Sequence, residues 1–233
     1  MRLDRLLSNL KFGSRQEVVE LIKKGFVSIN DKVITNHSLK VDPNKDIIMV
    51  GDEKIYYKDE IILAMYKPVG YLSANIDSMH EVVVDLIGPP YHRHDFKIAG
   101  RLDLDAEGLL ILTTSGSTVH QITNPNKKVI KRYLITTDDI IDEMLLKRLL
   151  EPIRILDGNN EYYLAKALSV NKVSSNEALI EIDTGKYHQV KRMFKAIGYE
   201  VINLKRIKIG NYNLPDIKPG EYVEIKKEDI LWH

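Results

Sequence analysis

The chain has no cysteine, a single tryptophan and only 7% aromatic residues among its 233 positions. Without thiols it has no disulfides, no thiol catalysis and no zinc site built on Cys, and a reducing compartment suits it. No apolar run approaches the ~18 residues that a membrane-spanning helix requires. The first residues lack the basic-then-apolar pattern of a signal peptide, so the expected location is the cytoplasm. A Gly-rich phosphate loop, a dinucleotide-binding fingerprint and a nucleophile elbow are also absent. Chemistry without a cofactor and without a metal is therefore expected. His92 and His94 are separated by one residue, but nearby ligands do not support a metal there, and a surface loop is the preferred reading.

Net charge is small, at +1, yet its distribution is uneven. Between Met1 and Lys40 stand eight basic residues against four acidic ones, and between Lys186 and Lys208 seven against Glu200 alone. Each cluster by itself is what a solvated face looks like. Two of them on a near-neutral chain suit a polyanion held at two points.

The first part of the chain reads as a compact module. Leu3, Leu6, Leu7 and Leu10 fall at i, i+3, i+4 and i+7, one apolar stripe of a short helix. Ser14 and Glu17 have capping-box spacing and open a second helix, which buries Val18, Val19, Leu21 and Ile22 and stops at Gly25. Phe26–Ile29, Asn30-Asp31 and Lys32–Ile34 then read as strand, turn and strand, with a further strand at Ile47–Val50.

Arg2–Leu7, Ser14-Arg15, Leu21–Gly25 and Val27–Asn30 resemble the S4 domain, a small RNA-binding fold. The resemblance implies that Arg2, Arg5, Lys11, Arg15, Lys23 and Lys24 face RNA. Such phosphate contacts make attachment strongly salt-dependent. The charged stretch from Gly51 to Glu60 reads as a linker, which divides the chain into residues 1–58 and 59–233.

Beyond it, strand patterns appear at Ile61–Tyr66, Leu109–Thr113, Arg132–Thr136, Tyr162–Val170 and Ala178–Asp183, and helices at Asp139–Leu150 and Tyr187–Ile197. Strands and helices do not alternate, which argues for an α+β layout rather than a doubly wound parallel sheet.

The segment most suggestive of chemistry is Gly100-Arg101-Leu102-Asp103, followed by Glu107-Gly108-Leu109-Leu110-Ile111-Leu112-Thr113. On the residues alone, Asp103 is a turn or cap residue before an apolar strand. The wording resembles the signature of the RsuA/RluB/RluE/RluF family of rRNA pseudouridine synthases, and this resemblance implies that Asp103 is a nucleophile. The family usually has Thr where this chain has Ala106. Lys131-Arg132-Tyr133-Leu134-Ile135 resembles the family's second motif, which implies that Tyr133 packs on the target base and serves as general base. Its plainer reading is a half-buried strand aromatic.

Gly185–Met193 and the run through Gly198 to Gly210 resemble the third motif, which implies a basic partner for Asp103 at Lys191. Helix geometry supports that choice. Val190, Met193, Phe194 and Ile197 form the buried stripe; at ~100° per residue Lys191 lies at its margin, and Arg192 points nearly opposite, towards solvent or phosphate. An ordinary lysine laid along the surface is the plainer alternative for Lys191.

Together the motifs cover almost the whole chain. They imply an S4 domain followed by a catalytic domain built on a mixed, largely antiparallel sheet with flanking helices. They also imply base flipping, with Arg101 filling the vacated space, and neither metal nor cofactor. The expected partner is ribosomal RNA within a small-subunit assembly intermediate, met by a monomer. His188-Gln189-Val190-Lys191-Arg192 looks more like small-subunit (16S) members than large-subunit (23S) ones, which tend to have Asn or Arg at the first position. The 23S reading stays open, as does that of a non-catalytic assembly factor.

Overall fold

The computed structural model describes residues Met1–Leu231 and divides into two compact units: Met1–Glu60 with Ile87–Asp95, and Ile61–Leu86 with Phe96 onwards. The first unit therefore takes in a short segment from the middle of the chain, which a division at residue 58 does not anticipate. The cause is local. Arg93 donates from Nε and Nη2 to the two carboxylate oxygens of Glu53, at 2.6 and 2.7 Å. Its guanidinium lies 3.8 Å from the centre of the Phe12 ring. His94 Nε2 sits 3.1 Å from the Tyr56 carbonyl.

In this unit α1 (Leu3–Asn9) and α2 (Arg15–Lys23) pack on a sheet of β1 (Val27–Ile29), β2 (Lys32–Val33), β3 (Ile48–Val50) and β4 (Glu53–Lys54), ordered β2-β1-β3-β4. The leucine stripe is buried as its spacing requires, with Leu3, Leu6, Leu7 and Leu10 all at or below 5% exposure. Ser14 and Glu17 form a reciprocal capping box, which satisfies helix-end N–H groups that would otherwise be unpaired. Asn30 and Asp31 both take positive φ, the conformation of a hairpin turn whose twist matches its strands. The 53–54 strand lies inside the stretch expected to be a linker.

The second unit is built on one large sheet. Its strands are β5 (Ile62–Lys67), β6 (Lys97–Ile98), β7 (Glu107–Thr113), β8 (Lys131–Thr137), β11 (Ser169–Lys172), β12 (Glu177–Ile182), β13 (Val201–Ile209), β14 (Tyr212–Asn213) and β15 (Tyr222–Ile225). A separate hairpin pairs β9 (Ile153–Leu156) with β10 (Tyr162–Ala165). The helices are α3 (Gly116–Thr123), α4 (Glu143–Lys147), α5 (Gln189–Ala196) and α6 (Lys227–Ile230). The main path runs β11-β12-β8-β13-β7-β5-β15, and β13 with β7 is its parallel pair in an otherwise antiparallel order. This is the α+β arrangement expected.

Some expected elements change. The 162–170 strand is two strands, because β10 pairs with β9 whereas β11 pairs with β12. The 139–150 helix shortens to α4 and a following 3-10 turn at Arg148–Leu150. One core cluster gathers Leu102, Ala106, Tyr133, Ile180, Val190, Met193 and Phe194 between the sheet and α5. It seats the loop of interest. Where β7 meets β13, Gly108 has φ +105, and a β-carbon there would collide with the Arg206 backbone. Glycine is what allows the two strands to approach so closely. Among the described residues, no helix is long and apolar enough to cross a membrane.

Candidate active site

The loop from Gly100 to Ala106 is held from several sides, mostly through its backbone. Gly100 turns the chain with φ +92. From β13, Arg206 donates Nη2 to the Gly100 carbonyl at 2.8 Å, Nη1 to the Arg101 carbonyl at 3.3 Å and Nε to the Leu109 carbonyl at 2.8 Å. Its side chain is 2% exposed. Ser73 Oγ accepts from Leu102 N at 3.1 Å and donates to Leu102 O at 2.8 Å. Ala106 N donates to Asp103 O at 3.2 Å, which closes a turn over Leu104 and Asp105.

Beneath this turn lies Lys67, at the end of β5 and with no exposed surface. Its ammonium donates to the carbonyls of Ala106 at 2.7 Å, Pro68 at 2.9 Å and Leu104 at 3.4 Å. Burial pushes its pKa down to about 8, opposed by the negative charges of Asp103 and Asp105. A buried cation of this kind is tolerated only when its protons are all directed at acceptors.

The loop forms one wall of a cavity of about 220 Å³ in the second unit. Arg101, Leu102 and Asp103 line it with Lys131 and Tyr133 of β8, Asp183 and Thr184 beyond β12, His188 to Val190, and Leu204 and Arg206 of β13. Tyr133 is 7% exposed. Lys131 is pushed down to about 8 by burial and by the neighbouring Arg206 cation, against the pull of Asp183. Gln189 braces the far wall: its Oε1 accepts from Thr184 Oγ1 at 3.0 Å and Lys186 N at 3.1 Å. The lining is largely apolar with a few charged groups pointing in, the usual character of a small-ligand site.

Asp103 and Tyr133 thus line the same cavity, and Arg101 is exposed at its rim. The Lys191–Asp103 pairing is not formed. Lys191 Nζ instead donates to both carboxylate oxygens of Asp105, each at 2.6 Å, and holds that carboxyl below its ordinary pKa. Lys191 lies at the edge of the buried stripe, as helix periodicity requires, with 21% of its side chain exposed. Which carboxylate of the loop comes within its reach is set by the turn, not by the helix.

The group that faces Asp103 is His188, with Nε2 3.4 Å from Oδ1. His188 precedes α5 in the left-handed region at φ +50 and stacks on Tyr187 with ring centres 3.8 Å apart. Arg192 also departs from expectation. It is half-buried and donates Nη1 to the carbonyls of Leu156 and Asp157 at 2.5 and 2.6 Å, instead of pointing at solvent.

In the first unit, the six basic residues Arg2, Arg5, Lys11, Arg15, Lys23 and Lys24 are all exposed. Three have acidic neighbours: Arg2 with Asp4 at 2.7 Å, Lys11 with Asp95 at 2.7 Å and Lys24 with Glu20 at 3.7 Å. Lys67, Ser73 and the buried role of Arg206 were not singled out from sequence. A lysine that ends a strand buried along its whole length, directly before Pro68, was the available signal for the first.

A basic helix-pair unit and a carboxylate beside an aromatic-walled cavity on a mixed sheet are compatible with an enzyme that acts on RNA. Comparison with known proteins gives the family. The RNA pseudouridylate synthase model matches residues 61–196, and the S4 domain model matches residues 1–47. An uncharacterized RNA pseudouridine synthase of Bacillus subtilis, YtzG, is 40% identical, over 99% of this chain and 97% of its own length. Ribosomal small subunit pseudouridine synthase A of Vibrio cholerae is 34% identical, over 100% of both chains. Ribosomal large subunit pseudouridine synthase B of B. subtilis is 33% identical, over 98% of this chain and 93% of its own. A solved structure titled as a pseudouridylate synthase superposes with a TM-score of 0.66 at 30% identity, covering 99% of this chain and 98% of that one. The chain belongs to the RNA pseudouridylate synthase family, in the RsuA/RluB group that carries an N-terminal S4 domain.

Proposed function

We propose that the protein converts one uridine of 16S ribosomal RNA to pseudouridine, with Asp103 as nucleophile. The observation that carries this reading is the placement of Asp103 on the wall of a cavity whose other walls include Tyr133 and His188. The target uridine is flipped out of its stack into this cavity at a cost of a few kcal/mol, which packing on Tyr133 and contacts to the backbone offset. Arg101, at the rim, fills the space the base leaves. The carboxylate of Asp103 attacks C1′ of the sugar or C6 of the uracil. The N1–C1′ bond breaks, the base turns, a C5–C1′ bond replaces it, and the bond to Asp103 breaks to return the free carboxylate. The C5 proton passes to Tyr133 acting as base, and N1 ends protonated.

No metal and no cofactor enters these steps. Lys67 and Arg206 hold the loop through its carbonyls and leave the Asp103 side chain free for substrate. Lys191 contributes by fixing Asp105, and so the turn, rather than by pairing with Asp103. The enzyme works as a monomer in the bacterial cytoplasm on an assembling small subunit, anchored through the cations of its S4 domain; Arg192, bound to backbone carbonyls, is a lesser contact.

The identities of 34% and 33% to a small-subunit and a large-subunit enzyme do not separate the two substrates. The 16S reading rests on the residue at the His188 position, which faces Asp103. Mapping pseudouridines in rRNA from cells with and without the gene tests it. Loss of one 16S site is the expected result; loss of a 23S site would assign the large subunit instead, and no loss would leave a non-catalytic assembly role.

A further inference from the structure

Beside the candidate active site runs an open groove of about 550 Å³ whose hairpin wall, with Arg154 and Tyr162, has no part in the proposed reaction. One wall is the β9–β10 hairpin with Arg154 and Tyr162, and the other is α5 with Lys191, Arg192 and Lys195. His188 lines both the groove and the cavity that holds Asp103, so the two are adjoining compartments. The groove is lined by four cations and one acid, Glu200; Lys191 is already paired with Asp105 and Arg192 holds two backbone carbonyls, so Arg154 and Lys195 are the cations best placed to meet a phosphate. Its aromatic is displayed to solvent: Tyr162 is 62% exposed, although burial would remove its large apolar ring from water. Arg154 lies over one face of that ring, 4.0 Å from its centre.

A planar cation on one face of an exposed tyrosine, within a positive trough, is the composition of a single-stranded nucleic-acid platform. Bases stack on the aromatic and the phosphates follow the cations. A duplex would not fit this chemistry, since its bases are already stacked on one another. An acidic peptide would use the cations but would leave the exposed ring unused.

We propose that the groove between the β9–β10 hairpin and α5 stacks an unpaired nucleotide adjoining the target uridine, with Tyr162 as its platform. This rests on reading the Asp103 cavity as the pocket for the target base. The site would then grip two nucleotides of one strand, and an unpaired neighbour beside the target becomes part of substrate selection. His188, which lines both compartments, stacks on Tyr187.

The test is binding of a fluorescein-labelled oligouridylate and of a blunt RNA duplex to the full-length protein at one fixed salt concentration, by anisotropy. Tyr162→Ala should weaken oligouridylate binding by roughly five- to 150-fold, the range for losing one base–aromatic stack. Duplex binding should stay within about twofold, because phosphate contacts dominate it. Tyr162→Phe should restore the single-strand affinity, since the ring rather than the hydroxyl does the stacking. Equal oligouridylate binding by wild type and Tyr162→Ala, no binding by either, or equal loss on the duplex overturns the proposal. The residue is exposed, and an unchanged melting transition will confirm that the variant folds. Pseudouridine formation in a 16S transcript, measured on the same preparations, reports on the target-base reading separately. If wild type binds through Tyr162 but makes no product, the substrate assignment fails and the groove stands.

Discussion

Replacing Gly108 by alanine perturbs the point where the sheet and the candidate active site depend on each other. Gly108 has φ +105, and its missing β-carbon would meet the Arg206 backbone nitrogen, carbon and oxygen. Positive φ costs an L-residue about 1–2 kcal/mol, and forcing an extra methyl into a packed interior costs about 1–3 kcal/mol. The clashing atoms are backbone in the parallel β7–β13 pair and cannot rotate away, so the sum lies towards the upper part of that range, at about 4 kcal/mol. For a domain of this size each kcal/mol moves the melting point by about 2–4 °C, which gives a fall of roughly 10 °C. Displacing Arg206 also loosens its bonds to the Gly100 and Arg101 carbonyls. The turnover of the folded fraction should therefore fall as well, more than its affinity for RNA. Calorimetry of the purified variant and a pseudouridine assay well below its melting point measure both. A melting point within about 2 °C of wild type, a shift worth no more than ~1 kcal/mol, would refute the packing argument.

Other consequences of the geometry can be measured more simply. Lys191→Met and Asp105→Asn should each lower turnover, and the double variant should be no worse than the worse single one. Full additivity in that cycle would show that the two act on different partners. Lys67 and Lys131 are held at about 8 when folded, against ~10.4 in an unfolded chain. Between these values the unfolded chain binds more protons, so their contribution to stability rises with pH through that window. Urea unfolding across this range should show a steeper rise in wild type than in Lys67→Met or Lys131→Met; parallel curves would contradict it. Changing Arg5, Arg15 and Lys23 together to Gln should reduce the slope of log affinity against log salt by about 2–3, as expected for three lost phosphate contacts. An unchanged slope would move the RNA anchor elsewhere.

Much of the fold was legible because it follows local rules. The leucine spacing of α1, the Ser14–Glu17 box and the Asn30-Asp31 turn are each specified within a few residues. What escaped depended on distant partners. Lys205, Arg206 and Lys208 read as part of a surface cluster, yet they belong to β13, a central strand, and Arg206 is buried against carbonyls about a hundred residues earlier. Pattern alone does not distinguish a solvated arginine from one turned onto backbone carbonyls inside the protein. The same limit hid Lys67. For Lys191 the periodicity of α5 gave the correct side of the helix. The choice between Asp103 and Asp105 depended on a turn whose closing bond, from Ala106 N to Asp103 O, has no signature in the residue types. Arg93, Glu53 and Phe12 similarly draw Ile87–Asp95 into the first unit across a separation that no linker composition reveals.

The central claim is that Asp103 carries the chemistry while its loop neighbours only hold it in place. Asp103→Asn keeps the volume and the backbone bonds of the turn but removes the nucleophilic charge. In a single-turnover assay on 16S transcript, with pseudouridine detected by carbodiimide modification and primer extension, the account predicts no product from Asp103→Asn and RNA binding within about twofold of wild type. Product formed by this variant at a rate near that of wild type would contradict it.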